Sequence, residues 1–164
     1  MGQASSHRYV IALGSNMRVP GIGAPRAVLR GALDQLADSG AEVEAVSRIR
    51  ASRPVGPSLR SYSNGAAIVS APLDPPAMLA LLQSVESEFG RDRRGARWRA
   101  RSLDLDIVLW SGGAWFARDL VIPHLLFRER DFVLRPAAEI APDWRDPVTG
   151  LTLRQLAAHA ACAR

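Results

Sequence analysis

The chain has 164 residues, with 21 Arg, no Lys and 16 acids, for a formal charge of +5. Six of the arginines (91, 93, 94, 97, 99 and 101) share one window with a single acid, Asp92, so the whole excess is local and the remaining chain is neutral. This excludes a diffusely basic nucleic-acid coat, and the missing Lys excludes a Schiff-base mechanism and a Walker A loop.

The other bounds are those of a soluble globular protein: 48% hydrophobic and 23% charged residues. The length suits a single domain spanning 1–164. One cysteine, Cys162, excludes an intramolecular disulfide and a multi-Cys zinc site. No apolar run approaches the ~18 residues of a membrane span, and residues 1–10 lack an apolar signal core. A cytoplasmic protein is expected, with no membrane or nucleic-acid partner. No long exposed apolar stripe calls for a protein partner, so a monomer is expected.

In chain order, Tyr9 to Leu13 reads as a buried strand running into the turn cluster Gly14-Ser15-Asn16. Pro25 opens a helix with Val28, Leu29, Ala32, Leu33 and Leu36 on one stripe, stopped by Gly40. Val43, Ala45, Ser47, Ile49 and Ala51 alternate with polar residues, which predicts one half-buried strand. After a Pro/Gly loop, Asn64 to Ala71 predicts another strand. Asp74-Pro75 is an N-cap and first-turn pair for a helix carrying Met78, Leu79, Leu82, Val85 and Phe89, ended by Gly90. The arginine window is expected as a loop. Ser102 to Trp110 predicts a strand with Leu103, Leu105, Ile107 and Leu109 on one face and Asp104 and Asp106 on the other. A Gly-rich turn, a short strand at Leu120 to Ile122, a helix over Phe132 to Ile140 and a Thr152-capped helix through Ala161 complete the chain. The order β-α-β-β-α-β with extra helices predicts an α+β fold: a ferredoxin-like antiparallel sheet with helices packed against it, in three αβα layers.

Asp104-Leu105-Asp106 carries the most chemistry. Residues i and i+2 of a strand point the same way, so two carboxylates stand side by side, and they repel unless a cation lies between them. Mg²⁺ takes one or two carboxylates plus substrate phosphates, and two metals can share such a pair. The arginine window leads directly into this strand, and Arg forks suit bidentate phosphate contacts. Together they imply a bridging polyanion such as a nucleoside triphosphate. His124, after Val121-Ile122-Pro123, has the chemistry to donate to a phosphate oxygen. Tyr62, Asn64 and Phe132 have the chemistry to hold a flat polar ring, although spacing alone does not bring them together.

These pieces, in this order, resemble the 6-hydroxymethyl-7,8-dihydropterin pyrophosphokinase family of folate biosynthesis. The resemblance runs from about Tyr9 to Pro142. It rests on Ala12-Leu13-Gly14-Ser15-Asn16, Ser52-Arg53-Pro54-Val55-Gly56, Asn64, Glu86 with Gly90-Arg91, Trp98, Arg101 to Ile107, Ile122-Pro123-His124 and Arg130 to Leu134. The resemblance implies transfer of the β,γ-pyrophosphoryl group of ATP to the pterin's hydroxymethyl oxygen, releasing AMP. It implies two Mg²⁺ held by Asp104 and Asp106; on physical grounds Asp106 is also the expected acceptor of the hydroxyl proton. By the same resemblance Arg91 and Arg101 are the main phosphate contacts, with Arg93, Arg97 and Trp98 on the loop. Gln83, Glu86, Ile107, His124 and Arg130 match positions lining the ATP site. Asn64 matches the pterin-binding amide, Tyr62 and Phe132 the sandwiching aromatics, and Ser52 and Val55 the backbone that reads the pterin edge. The chain departs from the family pattern at Arg99, Ala100 and Leu125, and mildly at Ser52.

Two other readings compete. A nucleotidyltransferase has Gly-Ser shortly before its carboxylates, whereas Ser15 and Asp104 here are far apart in the chain. A nucleic-acid-binding module would use the arginine window with Trp98, but it leaves Asp104 and Asp106 unexplained.

Overall fold

The computed structural model describes residues 5–52, 61–90 and 102–163. Its main sheet is built from β1 (His7–Ser15), β2 (Glu42–Val46), β3 (Arg50–Ser52), β4 (Tyr62–Ala71) and β5 (Asp104–Trp110). The strand order is β2-β4-β1-β5, with β3 also on β4, and every pairing is antiparallel. This is the ferredoxin-like order, reached by two crossover helices. Helix α1 (Pro25–Asp38) joins β1 to β2, and α2 (Pro75–Glu88) follows β4. A hairpin of β6 (Trp115–Ala117) and β7 (Leu120–Ile122) leads to α3 (Asp131–Ile140) and α4 (Leu153–Cys162).

The helices begin where local chemistry directs. The Asp74 carboxylate accepts from Ala77 N–H at 3.0 Å, and Pro follows at the first helical position of α2. Thr152 and Gln155 form a reciprocal capping box at α4. Helix α1 ends at Asp38 with Ser39 as its C-cap, followed by Gly40 with φ +90°, a conformation that favours glycine.

The two faces of the sheet make two cores. Odd-numbered residues of β1 and β4 (Tyr9, Ile11, Leu13, Ala67, Val69), with Leu103, Leu105 and Ile107, pack against α1 and α2 through Leu29, Leu36, Met78 and Leu82. Tyr9 is fully buried there; its hydroxyl donates to the Leu73 carbonyl, and burial, with the Asp74 charge, pushes its pKa up to about 12. Even-numbered residues (Val10, Ala12, Ala66, Ile68) pack with Phe127, Leu134, Ala137, Leu153 and Leu156 on the α3/α4 side.

Three expectations need correction. The strand expected from Val43 to Ala51 is broken into β2 and β3 at Ser47–Ile49. There the Ser47 hydroxyl accepts from Ala66 N–H at 2.8 Å, replacing a ladder carbonyl with a side chain. Leu109 does not share the face of Leu103, Leu105 and Ile107. Ile11 pairs with Ile107 but Val10 with Leu109, so Val108 is the extra residue of a bulge and Leu109 turns into the α3/α4 core. The strand β6 lay unseen inside the Gly-rich stretch. Its turn depends on Gly112, where a Cβ would lie 2.2 Å from the Trp110 ring.

Candidate active site

The alternation that fills the α3/α4 core continues past the reach of α3 and changes character. On β1 the even series runs Val10, Ala12, Gly14; on β4 it runs Ile68, Ala66, Asn64, Tyr62; on β5 Asp106 and Asp104 follow the bulge. The pairings align these rows: Ala12 opposes Asp106 and Ala66, and Gly14 opposes Asp104 and Asn64. A row of small residues on the central strand is thus flanked by two carboxylates on one neighbour and an amide and a phenol on the other.

These residues surround one cavity of about 380 Å³. Ser52 of β3 and Arg130, Phe132 and Val133 at the start of α3 complete its walls. Asp106 is exposed and Asp104 half-buried. The Arg130 guanidinium lies 5.9 Å from the centre of the Phe132 ring, a cation–π contact that orients both at the rim. The Asn64 amide, on a residue 6% exposed, donates to Ser52 Oγ at 2.7 Å. Its Oδ1 faces Gly14, where a Cβ would sit in ordinary contact at 3.4 Å.

Of the residues singled out from sequence, Ser52, Tyr62, Asn64, Asp104, Asp106, Arg130 and Phe132 therefore meet at one cavity. Glu86 lies at the outer edge of β5, where its Oε1 accepts from Leu105 N–H at 2.9 Å. Gln83 is exposed on α2. Ile107 is 3% exposed, with its side chain in the α1/α2 core, so its own contribution at the edge is main chain. His124 follows β7; its N–H donates to Val108 O at 3.1 Å, and its Nδ1 accepts from Leu126 N–H at 3.2 Å. Val55, Arg91, Arg93, Arg97, Trp98 and Arg101 lie outside the described residues.

Sequence reasoning missed several supports. Ala12 and Val133 line the cavity; small residues interrupting a strand of large ones were the available signal for Ala12. The Ser102 hydroxyl donates to Phe89 O at 2.5 Å, and Ser15 Oγ donates to Ser102 O at 2.5 Å. These bonds join the end of α2, the lead-in to β5 and the end of β1. Asp146, fully buried, accepts both arms of the Arg128 fork at 2.7 Å and the Thr149 hydroxyl at 2.7 Å. It thereby anchors the segment that carries Arg130. Burial raises the pKa of Asp146, but the bonds from Arg128, Thr149 and Val148 N–H outweigh it and hold the carboxyl below its ordinary value.

The arrangement is oxygen-rich and suits a hard divalent ion: two carboxylates at i and i+2 on one strand face, opening on a cavity. Among the described residues no group of three or more His, Cys, Asp or Glu gathers as a metal cage, so a closed zinc-type centre is not built from them. An acidic pair beside an aromatic-walled slot, on a ferredoxin-like sheet, defines the class: a concave site of the kind that takes small molecules.

The comparisons with known proteins make this particular. The 7,8-dihydro-6-hydroxymethylpterin-pyrophosphokinase (HPPK) family matches residues 10–142. A 2-amino-4-hydroxy-6-hydroxymethyldihydropteridine pyrophosphokinase of Synechocystis sp. is 40% identical over 157 residues, 95% of this chain and 77% of its own length. The enzyme of that name from Pseudomonas aeruginosa is 38% identical over 144 residues, 85% of this chain and 84% of its own. Among solved structures, Plasmodium falciparum HPPK-DHPS with pteroate superposes with a TM-score of 0.71 at 13% identity, over 94% of this chain and 42% of that one. The chain belongs to the HPPK family of folate biosynthesis, and its fold is the family's.

Proposed function

We propose that this chain transfers the pyrophosphoryl group of ATP to 6-hydroxymethyl-7,8-dihydropterin, giving the pterin diphosphate and AMP. The observation that carries the reading is the meeting, at one cavity, of the Asp104/Asp106 pair with a slot walled by Tyr62, Asn64 and Phe132. Two substrates of different chemistry need such a two-part site, and holding them in line supplies most of the catalysis in phosphoryl-type transfer.

The pterin ring takes the slot. Tyr62 and Phe132 offer it two aromatic faces, and Asn64, pre-oriented by Ser52, offers it an amide. ATP lies along the β5 edge, near Glu86, His124 and Arg130, with the triphosphate toward Asp104 and Asp106. Along that edge Leu105 N–H points outward to Glu86. The two-residue repeat turns the main chain of Ile107 the same way, where it can pair with a base. The hydroxymethyl oxygen attacks the β-phosphorus, the bond from that phosphorus to the α,β-bridging oxygen breaks, and AMP leaves with the oxygen. The hydroxyl proton passes to Asp106. Asp104 and Asp106 would hold two Mg²⁺, which when bound neutralise the triphosphate and acidify the attacking hydroxyl. Arg91, Arg101, Arg93, Arg97 and Trp98 are assigned to the phosphates by the family resemblance alone.

Purified protein given ATP, Mg²⁺ and the dihydropterin should form AMP. Formation of ADP, or no AMP above a pterin-free control, would contradict the proposal.

A further inference from the structure

The cavity has two walls that come from different parts of the chain. One is the β3/β4 edge, with Ser52 and Asn64; the other is the first turn of α3, with Phe132. A cleft of about 320 Å³, bordered by Arg50 and Arg135, continues between them. The width of this slot depends on how β3 sits against α3. β3 is only Arg50–Ser52, paired along one side with β4 (Tyr62–Asn64) and preceded by the break at Ser47–Ile49. A three-residue edge strand is weakly held by its ladder alone.

Glu139, near the far end of α3, bonds to this strand and to the residues that lead into it. Its Oε1 accepts from Arg48 N–H at 2.9 Å, and its Oε2 accepts from Arg50 Nη2 at 2.9 Å. One carboxylate thus bonds both the main chain leading into β3 and the first side chain of β3. From the opposite face, Arg26 of α1 donates to Ile49 O at 2.8 Å, so the turn is gripped on both sides. The bond from Arg48 N–H, reinforced by the Arg50 guanidinium, outweighs partial burial and holds the Glu139 carboxyl below its ordinary value. The buried apolar residues of α3 (Val133, Leu134 and Ala137) belong to the core with Ala66 and Ile68 of β4, a cluster that includes no residue of β3.

We propose that Glu139 is a positioning residue for the pterin side of the site: by fastening β3 to α3 it sets the separation of the Ser52–Asn64 wall from Phe132. The inference rests on the cavity being the pterin site. Glu139 touches neither substrate; it acts through Arg48, Arg50 and the strand they belong to.

The test is steady-state kinetics of AMP formation, varying each substrate at saturation of the other. Glu139→Ala should raise KM for the dihydropterin by about fivefold, the loss of roughly one hydrogen-bonded contact. KM for ATP and kcat should stay within about twofold of wild type. Glu139→Gln, which keeps an acceptor for Arg48 N–H, and Arg50→Gln should each give a smaller rise in the same constant. Glu44→Gln is the control. It removes a comparable exposed pair, Arg8–Glu44 at 2.7 Å, at the other end of β1, and should leave both KM values unchanged whatever it does to Tm. The positioning role is overturned if wild type is active yet Glu139→Ala leaves the pterin KM unchanged, or raises both KM values equally. A wild type that makes no AMP overturns the functional reading itself, and this inference with it.

Discussion

The two faces of the sheet use the same period-two alternation to opposite ends. On the α1/α2 face every inward residue along β1 from Tyr9 to Leu13 is apolar and buried, and two crossover helices cover the strands. On the α3/α4 face the cover is partial. Val10, Ala12, Ala66 and Ile68 are buried beneath α3 and α4, but the same rows continue into Gly14, Asn64, Tyr62, Asp104 and Asp106 around an open cavity. Around the cavity the rows turn polar. A closed face contributes stability, whereas a half-closed face supplies a rigid floor for the groups that line the cavity.

That contrast can be broken in several ways, the largest first. Asp104→Ala and Asp106→Ala should each lower turnover by about a thousandfold or more, the scale of losing a main stabiliser of transition-state charge, with little change in Tm. Chelation of divalent ions should do the same to wild type. If both variants stay active, the open face loses its catalytic role. On the closed face, Leu82→Ala should cost about 3 kcal/mol of stability by thermal or urea unfolding, while KM values at a temperature where the protein is folded remain those of wild type. A changed pterin KM there would show that the two faces are not separable.

Asp146→Asn, which leaves Arg128 facing a neutral partner, should destabilise by about 2–3 kcal/mol at neutral pH and raise KM for ATP through the Arg130 segment. Its pH dependence has a definite sign. The folded-state pKa of Asp146 is lowered, so its contribution is complete above the unfolded carboxylate range, about pH 4, and is lost as pH falls through the folded value. Glu44 and Glu139 are lowered as well, Glu44 chiefly by its bonds from Arg8. The midpoint of urea unfolding should therefore drop as pH falls below about 4, and Asp146→Asn should flatten that drop. The smallest effect belongs to the Thr152–Gln155 capping box: Thr152→Ala should cost about 1 kcal/mol and leave the kinetics untouched.

Much of this plan was legible in the sequence because its signals are local. Alternation on β5 put Asp104 and Asp106 on one side, and capping residues marked the starts of α2 and α4. What escaped depended on residues distant in the chain. The bulge at Val108, which turns Leu109 to the other core, exists only relative to β1. The break before β3 depends on the Ser47 hydroxyl meeting Ala66 N–H 19 residues later. The Arg128–Asp146 pair spans 18 residues and the Arg50–Glu139 pair 89; neither leaves a periodic trace. The convergence of Tyr62, Asn64 and Phe132 followed from the family resemblance, not from spacing, since α2, β5 and the β6/β7 hairpin separate the first two from the third.

The most direct measurement follows the phosphorus atoms themselves. Phosphorus NMR of a reaction containing the protein, ATP, Mg²⁺ and 6-hydroxymethyl-7,8-dihydropterin should show the β and γ resonances of ATP disappear together. They should reappear as a two-phosphorus ester on the pterin, with AMP in equal amount. Transfer of the γ-phosphorus alone, with ADP as the other product, would contradict the account.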